Sequence, residues 1–215
     1  MSMNKSQYEL KKTLFNKRLG ISEHRQFQIM ETALELIQRD GFEHLQFGLL
    51  AKKCRVSRGL VHHYFKDKFE LANKLLDLST LYLQSYLQNS LAQVKHPKQQ
   101  LEIYCKATVD WPVSFPKHAT GLFLFLHLCS HNKKMRQRND ELSALGRQKI
   151  QLLLLEAGAE SSGIQRHAQM IQTLLSGCYL ILLSENRSEK ESQKVRIDCV
   201  KACLEIAGLS RAVSR

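Results

Sequence analysis

The chain has 215 residues, with 32 Lys/Arg against 20 Asp/Glu and a net charge of +12. No apolar run reaches the roughly 18 residues that suggest a membrane-spanning helix, and no secretory leader is visible at the N-terminus. Six Cys occur without a CxxC pair and read as reduced thiols, so a membrane protein and a disulfide scaffold are both excluded and a cytoplasmic location is expected.

Only 3 Pro and 10 Gly, among many Leu, Gln, Lys and Ala, favour an all-α chain. Residues 1–75 carry 14 Lys/Arg and 8 Asp/Glu, so half of the net charge lies in about a third of the length. That skew suits a polyanion as partner.

In chain order, residues 1–22 form a basic arm, with Lys5, Lys11, Lys12, Lys17 and Arg18 against Glu9. It is either a frayed tail or a segment reaching DNA phosphates or the minor groove. Helix 1 is predicted over Ser22–Asp40, with Phe27, Met30, Ala33, Leu34 and Ile37 as its apolar stripe. Gly41 is placed to stop it in a Schellman-type turn, with Phe42 packing back on Ile37. Helix 2 spans Phe47–Lys53, with Leu49, Leu50 and Ala51 inward. Cys54-Arg55-Val56 makes a tight turn, and helix 3 follows from an N-capping Ser57 to Tyr64. Leu60, Val61 and Tyr64 share its buried face, which leaves Arg58, Gly59, His62 and His63 to point elsewhere. Two short helices of this kind make a helix-turn-helix, motif 46–65. Asp67 and Glu70 form a capping box for helix 4, which runs to about Val94. Lys68 in its first turn is unfavourable beside the helix dipole unless a phosphate docks there.

Beyond Pro97 the pattern is helical with short breaks. Helix 5 covers about Lys98–Trp111, and the run from Pro112 to Pro116 interrupts it. Helix 6, about Ala119–His131, is apolar nearly all round and reads as central to a core. Helix 7 covers Lys133–Ala157, helix 8 Ser162–Ser184 and helix 9 Glu189–Ala207, with Gly158 and Gly208 as stops.

The run Val56-Ser57-Arg58-Gly59-Leu60-Val61-His62-His63-Tyr64-Phe65-Lys66-Asp67-Lys68-Phe69-Glu70-Leu71 resembles the DNA-binding signature of TetR-type bacterial repressors. Ile29, Ala33, Leu36, Ile37, Gly41, Phe42 and Leu45 match that family's first helix and its exit. The resemblance covers about residues 23–83. It departs at Gln46, where Thr or Ser is usual, at Arg55, where Gly is usual, and at His62, where an aromatic Tyr is usual. If residue 55 has a positive φ, Arg55 carries roughly 1 kcal/mol of strain.

The resemblance implies a three-helix head over 23–83, joined by helix 4 to a helical ligand-binding and dimerisation body over 84–215. It implies a sequence-specific transcription regulator, expected to be a ligand-responsive repressor that binds a palindromic operator on double-stranded DNA as a homodimer. The alternative is a DNA-binding protein of the same fold that answers to a protein or organises DNA. The expected DNA contacts are Gln46, Lys52, Arg58, Gly59, Leu60, His62, His63, Tyr64 and Lys68. Arg58 is suited to pair with guanine, whereas Lys52, Tyr64 and Lys68 are suited to phosphates.

An effector pocket is expected among Tyr86, Tyr104, Cys105, Thr108, Trp111, Phe115, Phe123, Phe125, His127, Met170, Leu174 and Tyr179. That list favours a mostly apolar small molecule, although an aromatic and Met stripe at helical spacing is more often plain core. Leu174, Leu175, Gly177, Cys178, Ile181 and Leu182 are expected at a dimer interface. His127/His131 and Cys199/Cys203 lie four apart, but two ligands do not make a metal site. Helical cysteines at that spacing suit a disulfide poorly. No cofactor is expected. The chain shows no nucleophile elbow, no phosphate-cradling Gly loop and no His-Glu metal helix, so catalysis is not expected.

Overall fold

The computed structural model describes residues 20–209. Nine helices and no strand occur among the described residues. They are α1 Ile21–Asp40, α2 Phe47–Cys54, α3 Arg58–Tyr64, α4 Lys68–Leu91, α5 Pro97–Ser114, α6 Pro116–Cys129, α7 Lys133–Glu156, α8 Ile164–Ser184 and α9 Glu189–Ile206. The basic arm expected over 1–22 lies almost wholly outside the described residues.

The chain divides into two compact units. Among the described residues, one holds 20–85 together with 115–136; the other holds 86–114 and 137–209. The boundary expected near residue 83 therefore falls within α4, but the first unit also takes in α6, which the sequence assigns to the body.

In the first unit, α1 buries Ile29, Ala33, Leu34, Leu36 and Ile37, while Phe27 and Met30 of the expected stripe are only half-buried. The core face is thus rotated toward Ile29 and Leu36. α1 ends as the backbone of Gly41 turns to φ +85, and its N–H donates to Ile37 O at 2.9 Å. In α2 the buried residues are Phe47, Leu50 and Ala51, and Leu49 is half-buried. Arg55 closes α2 in the left-handed region, at φ 55 and ψ 47. It is the only non-glycine residue with positive φ among those described. Val56 N–H reaches back to Ala51 O at 3.0 Å, so the reversal satisfies a carbonyl that would otherwise be orphaned.

α6 lies against α1 with little room between them. A Cβ on Gly121 would sit 2.8 Å from Leu34 Cδ2 and 2.8 Å from Ser79 Oγ of α4. Only glycine allows that approach. The same helix carries Lys117, whose Nζ lies 2.5 Å from Glu31 Oε2 and 2.9 Å from Glu35 Oε1 of α1. His118 is buried beside it, stacked on Tyr82 with ring centroids 3.9 Å apart. α6 is not apolar-buried all round, however. Phe123 and Leu126 are exposed, and Gly121, Phe125, Leu128 and Cys129 make the buried side. A run this apolar reads as a core helix, but only one of its faces is covered.

The break between α5 and α6 is shorter than expected. Pro112 sits inside α5 and is buried, and the interruption shrinks to Phe115 with Pro116 as the first residue of α6. Proline in a helix interior removes one backbone hydrogen bond. α6 also ends at Cys129, which leaves His131 in the following turn.

The second unit packs α5, α7, α8 and α9 around Leu101, Tyr104, Cys105, Val109, Ile150, Leu153, Leu154, Ile171, Leu175, Cys178, Cys203 and Leu204. α9 begins with a capping box in which Ser188 and Glu191 satisfy each other's backbone N–H. Arg196 on α9 spans Asp110 of α5 at 2.9 Å and Glu189 at 2.8 Å.

Candidate nucleic-acid interface

α3 is held by its inner face and its first turn. Val61 and the following Phe65 are fully buried, and Ser57 Oγ accepts from Leu60 N–H at 3.1 Å, satisfying one of the free donors of the helix start. Arg58, Gly59, His62 and His63 are exposed, and Leu60 is half-buried. The polar and basic side of α3 is therefore directed away from the core. A Cβ on Gly59 would meet only Ser57 Oγ, at an ordinary 3.9 Å, so nothing within the chain requires glycine there.

The neighbouring expected contacts fall on the same short stretch. Lys52 on α2 is exposed, as is Gln46, which precedes the helix without a side-chain cap bond. His62 leans on Phe47 with ring centroids 4.9 Å apart, which ties α3 to α2 and leaves His62 accessible. Tyr64 is half-buried, its hydroxyl 3.1 Å from Ser22 Oγ at the start of α1.

Lys68 has a different setting from the one its position suggests. Its Nζ donates to Glu43 O at 3.1 Å and Phe42 O at 3.4 Å, and lies 5.6 Å from the Phe42 ring centre. The cation beside the α4 N-terminus is thus held by carbonyls at the exit of α1. The α4 cap is also shifted by one residue: Asp67 Oδ1 accepts from Glu70 N–H at 2.7 Å, but Glu70 returns to Lys66 N–H at 2.8 Å.

The twelve effector candidates are divided between the two units. In the first, Phe115 and Phe125 are buried core, whereas Phe123 and His127 are exposed. In the second, Tyr104, Cys105 and Trp111 are buried, Tyr86, Thr108 and Tyr179 are half-buried, and Met170 and Leu174 are exposed. Trp111 stacks on Tyr179 with centroids 6.1 Å apart. Burial drives the Tyr179 phenol pKa well above its ordinary value and raises that of Tyr104 to about 12. None of the twelve lines the cleft of about 670 Å³ that opens between α5 and α9. Its walls include Glu102, Lys106, Asp110, Arg196, Lys201 and Glu205, together with Val109, Ile197, Val200 and Leu204. Composition alone missed this cleft, because its charged residues read as ordinary solvated faces.

Of the dimer candidates, Leu175 and Cys178 are buried in the second unit's own core. Leu174 is exposed, and Gly177, Ile181 and Leu182 are half-buried. Among the described residues no group of three or more His, Cys, Asp or Glu is arranged to hold a metal ion. No helix among them is long and apolar enough to cross a membrane.

The signature of the bacterial regulatory proteins of the tetR family matches residues 29–75, the stretch that builds α1, α2, α3 and the first part of α4. That match, over less than a quarter of the chain, gives this stretch the likeness of a tetR-type DNA-binding head. A relative, the HTH-type transcriptional regulator BetI of Proteus mirabilis, is 31% identical over 70 residues, 33% of each chain. The chain spans between a third and about half the length of the curated relatives it matches. Solved structures show a likeness of fold over most of the chain. A protein from Saccharomonospora viridis in complex with choline superposes with a TM-score of 0.74 at 16% identity, over 85% of this chain and 96% of that one. AibR, in complex with isovaleryl coenzyme A and operator DNA, gives 0.64 at 14% identity, over 83% and 97%.

Proposed function

We propose that the chain is a sequence-specific DNA-binding transcription regulator that acts as a homodimer on a palindromic operator. The observation that carries this reading is α3 itself. One side is anchored by Val61 and Phe65, and the other offers Arg58, Gly59, His62 and His63 to solvent. A helix of this size fits the major groove, where Arg reads guanine by two hydrogen bonds. One such helix contacts few bases, so specificity calls for a two-fold pair. Leu174 and Ile181 on α8 are accessible for that pairing, and a Cβ on Gly177 would meet nothing within the chain.

The regulator is read as a repressor released by a small molecule. The neighbours solved with choline and with isovaleryl coenzyme A support ligand binding in a body of this fold. For this chain, three acids and three bases around the α5–α9 cleft favour a polar or charged effector over the apolar one suggested by composition. A ligand would act by binding the DNA-competent and DNA-incompetent states with different affinity.

Selection of random duplex DNA on the purified protein tests the central reading. A palindromic motif with half-sites about one helical turn apart is the expected result. Binding without any motif would favour the DNA-organising alternative, and no binding at low salt would overturn the DNA-binding reading.

A further inference from the structure

Four of the six cysteines converge in the second unit. Cys105 on α5, Cys178 on α8 and Cys203 on α9 are buried in its core, and Cys199, one turn before Cys203, packs against that core while half-exposed. The thiols are near enough to act on one another: Cys199 is influenced by Cys178 and Cys203, and Cys203 by Cys105. The Cys199 sulfur also donates to Leu174 O at 3.6 Å. The Arg196 and Asp110 charges act on this group through Cys178.

The sequence pairs Cys199 with Cys203, which share a helix at a spacing poor for a disulfide. The fold supplies a different partner. We propose that Cys199 and Cys178 form a peroxide-sensitive thiol pair that closes into a disulfide between α9 and α8. Cys199 is the attacking group because it alone of the four is accessible. The thiols of Cys178 and Cys203 hold its pKa below the usual thiol range, whereas hydrogen bonding to Cys199 and burial raise that of Cys178. Thiolate character and exposure together select which cysteine oxidises first.

The chemistry balances with a peroxide as oxidant. The Cys199 thiolate attacks one peroxide oxygen, the O–O bond breaks, and the departing hydroxide takes a proton to leave as water. The sulfur is then a sulfenic acid. The Cys178 sulfur displaces its hydroxyl, the S–S bond forms, and the Cys178 proton leaves with the hydroxide as a second water. Two thiols lose two electrons and one peroxide gains them. The product ties α8 to α9 beside the α5–α9 cleft, whose wall includes Arg196, Val200 and Leu204.

Trypsin separates Cys178, Cys199 and Cys203 onto three peptides, because Arg187, Arg196 and Lys201 intervene. The test treats the reduced full chain with hydrogen peroxide and maps its tryptic peptides without reductant. A cross-link between the Cys178 and Cys199 peptides, reversed by dithiothreitol, is the expected result. In Cys178→Ser, folding like the parent by circular dichroism, Cys199 should instead accumulate as a sulfenic acid trapped by dimedone. A Cys199–Cys203 cross-link, a Cys199–Cys199 cross-link between chains, or Cys199 oxidising no faster than half-buried Cys54 would each overturn the proposal. The peptide map of the unmutated chain decides the matter even if the variant fails to fold.

Discussion

Lys117 Nζ on α6 lies 2.5 Å from Glu31 Oε2 on α1, in a setting that leaves the two side chains 24% and 10% exposed. A carboxylate this buried needs a partner, because removing one member of a buried pair strands the other in low dielectric. Lys117→Met should therefore lower unfolding stability by about 2–3 kcal/mol, somewhat below the usual cost because Lys117 keeps some contact with water. Adding Glu31→Leu should restore most of the loss, since no stranded charge remains. Urea titration of the two variants checks both values, and a double variant as weak as the single one would contradict the account.

The same pair sets a pH dependence. Burial alone would lower the pKa of Lys117, but Glu31 and Glu35 outweigh it, so the folded value lies above the ordinary 10.5. A raised folded value means that the stabilisation is complete below the unfolded value and is lost as pH rises through the folded one. The stability gap between the parent chain and Lys117→Met should stay flat through neutral pH and narrow only above 10.5. A gap that closes between neutral pH and that point would place the effect elsewhere.

Gly121 and Gly59 make opposite predictions. Gly121→Ala would drive a Cβ to 2.8 Å from both Leu34 and Ser79, which are fully buried. Overpacking of about 1–3 kcal/mol outweighs the gain of about 1 kcal/mol from helix propensity, so thermal stability should fall. Gly59→Ala meets only Ser57 Oγ, at an ordinary contact distance, and should gain up to about 1 kcal/mol. If DNA approaches the α3 backbone at this point, the stabler variant should bind the selected operator more weakly. Equal or tighter binding would remove Gly59 from the interface.

Much of this was legible from periodicity and caps, and the rest depended on packing partners. Ser57 and Gly41 announce their turns locally, because each acts on backbone within a few residues of itself. Gly121 is different: inside an apolar helix it reads no differently from Gly177, and only the approach of Leu34 and Ser79 separates them. The partners of Lys68 were not legible either, because the carbonyls of Phe42 and Glu43 lie about 25 residues upstream. Cys178 and Cys199 come together only through the register of α8 on α9. The α5–α9 cleft was hidden for the same reason, as its six charges are scattered over two helices.

Lys68 now carries a prediction about folding as well as one about DNA. Lys68→Met should destabilise the head by about 1–3 kcal/mol, the usual worth of charge-assisted hydrogen bonds, discounted toward the low end for partial exposure. The exit of α1 would lose its cation, so thermal unfolding should shift even without DNA. Unchanged stability with weaker binding to all sequences would instead return Lys68 to a phosphate-contact role.

Arg58 and Lys52 separate base reading from phosphate contact. Both are exposed, but Arg58 opens the helix proposed to enter the groove and Lys52 lies on α2 beside it. Arg58→Ala should cost about 1–3 kcal/mol on the selected operator and little on random duplex, because a lost guanine contact is felt only where the guanine is present. The salt dependence should change little. Lys52→Ala should weaken both DNAs alike and reduce the slope of log affinity against log salt by about 1, the signature of one phosphate neutralised. If Arg58→Ala weakens random and selected DNA equally, Arg58 is a phosphate contact and base reading must pass to His62 or His63. Titrating each variant on both duplexes at several salt concentrations distinguishes these outcomes.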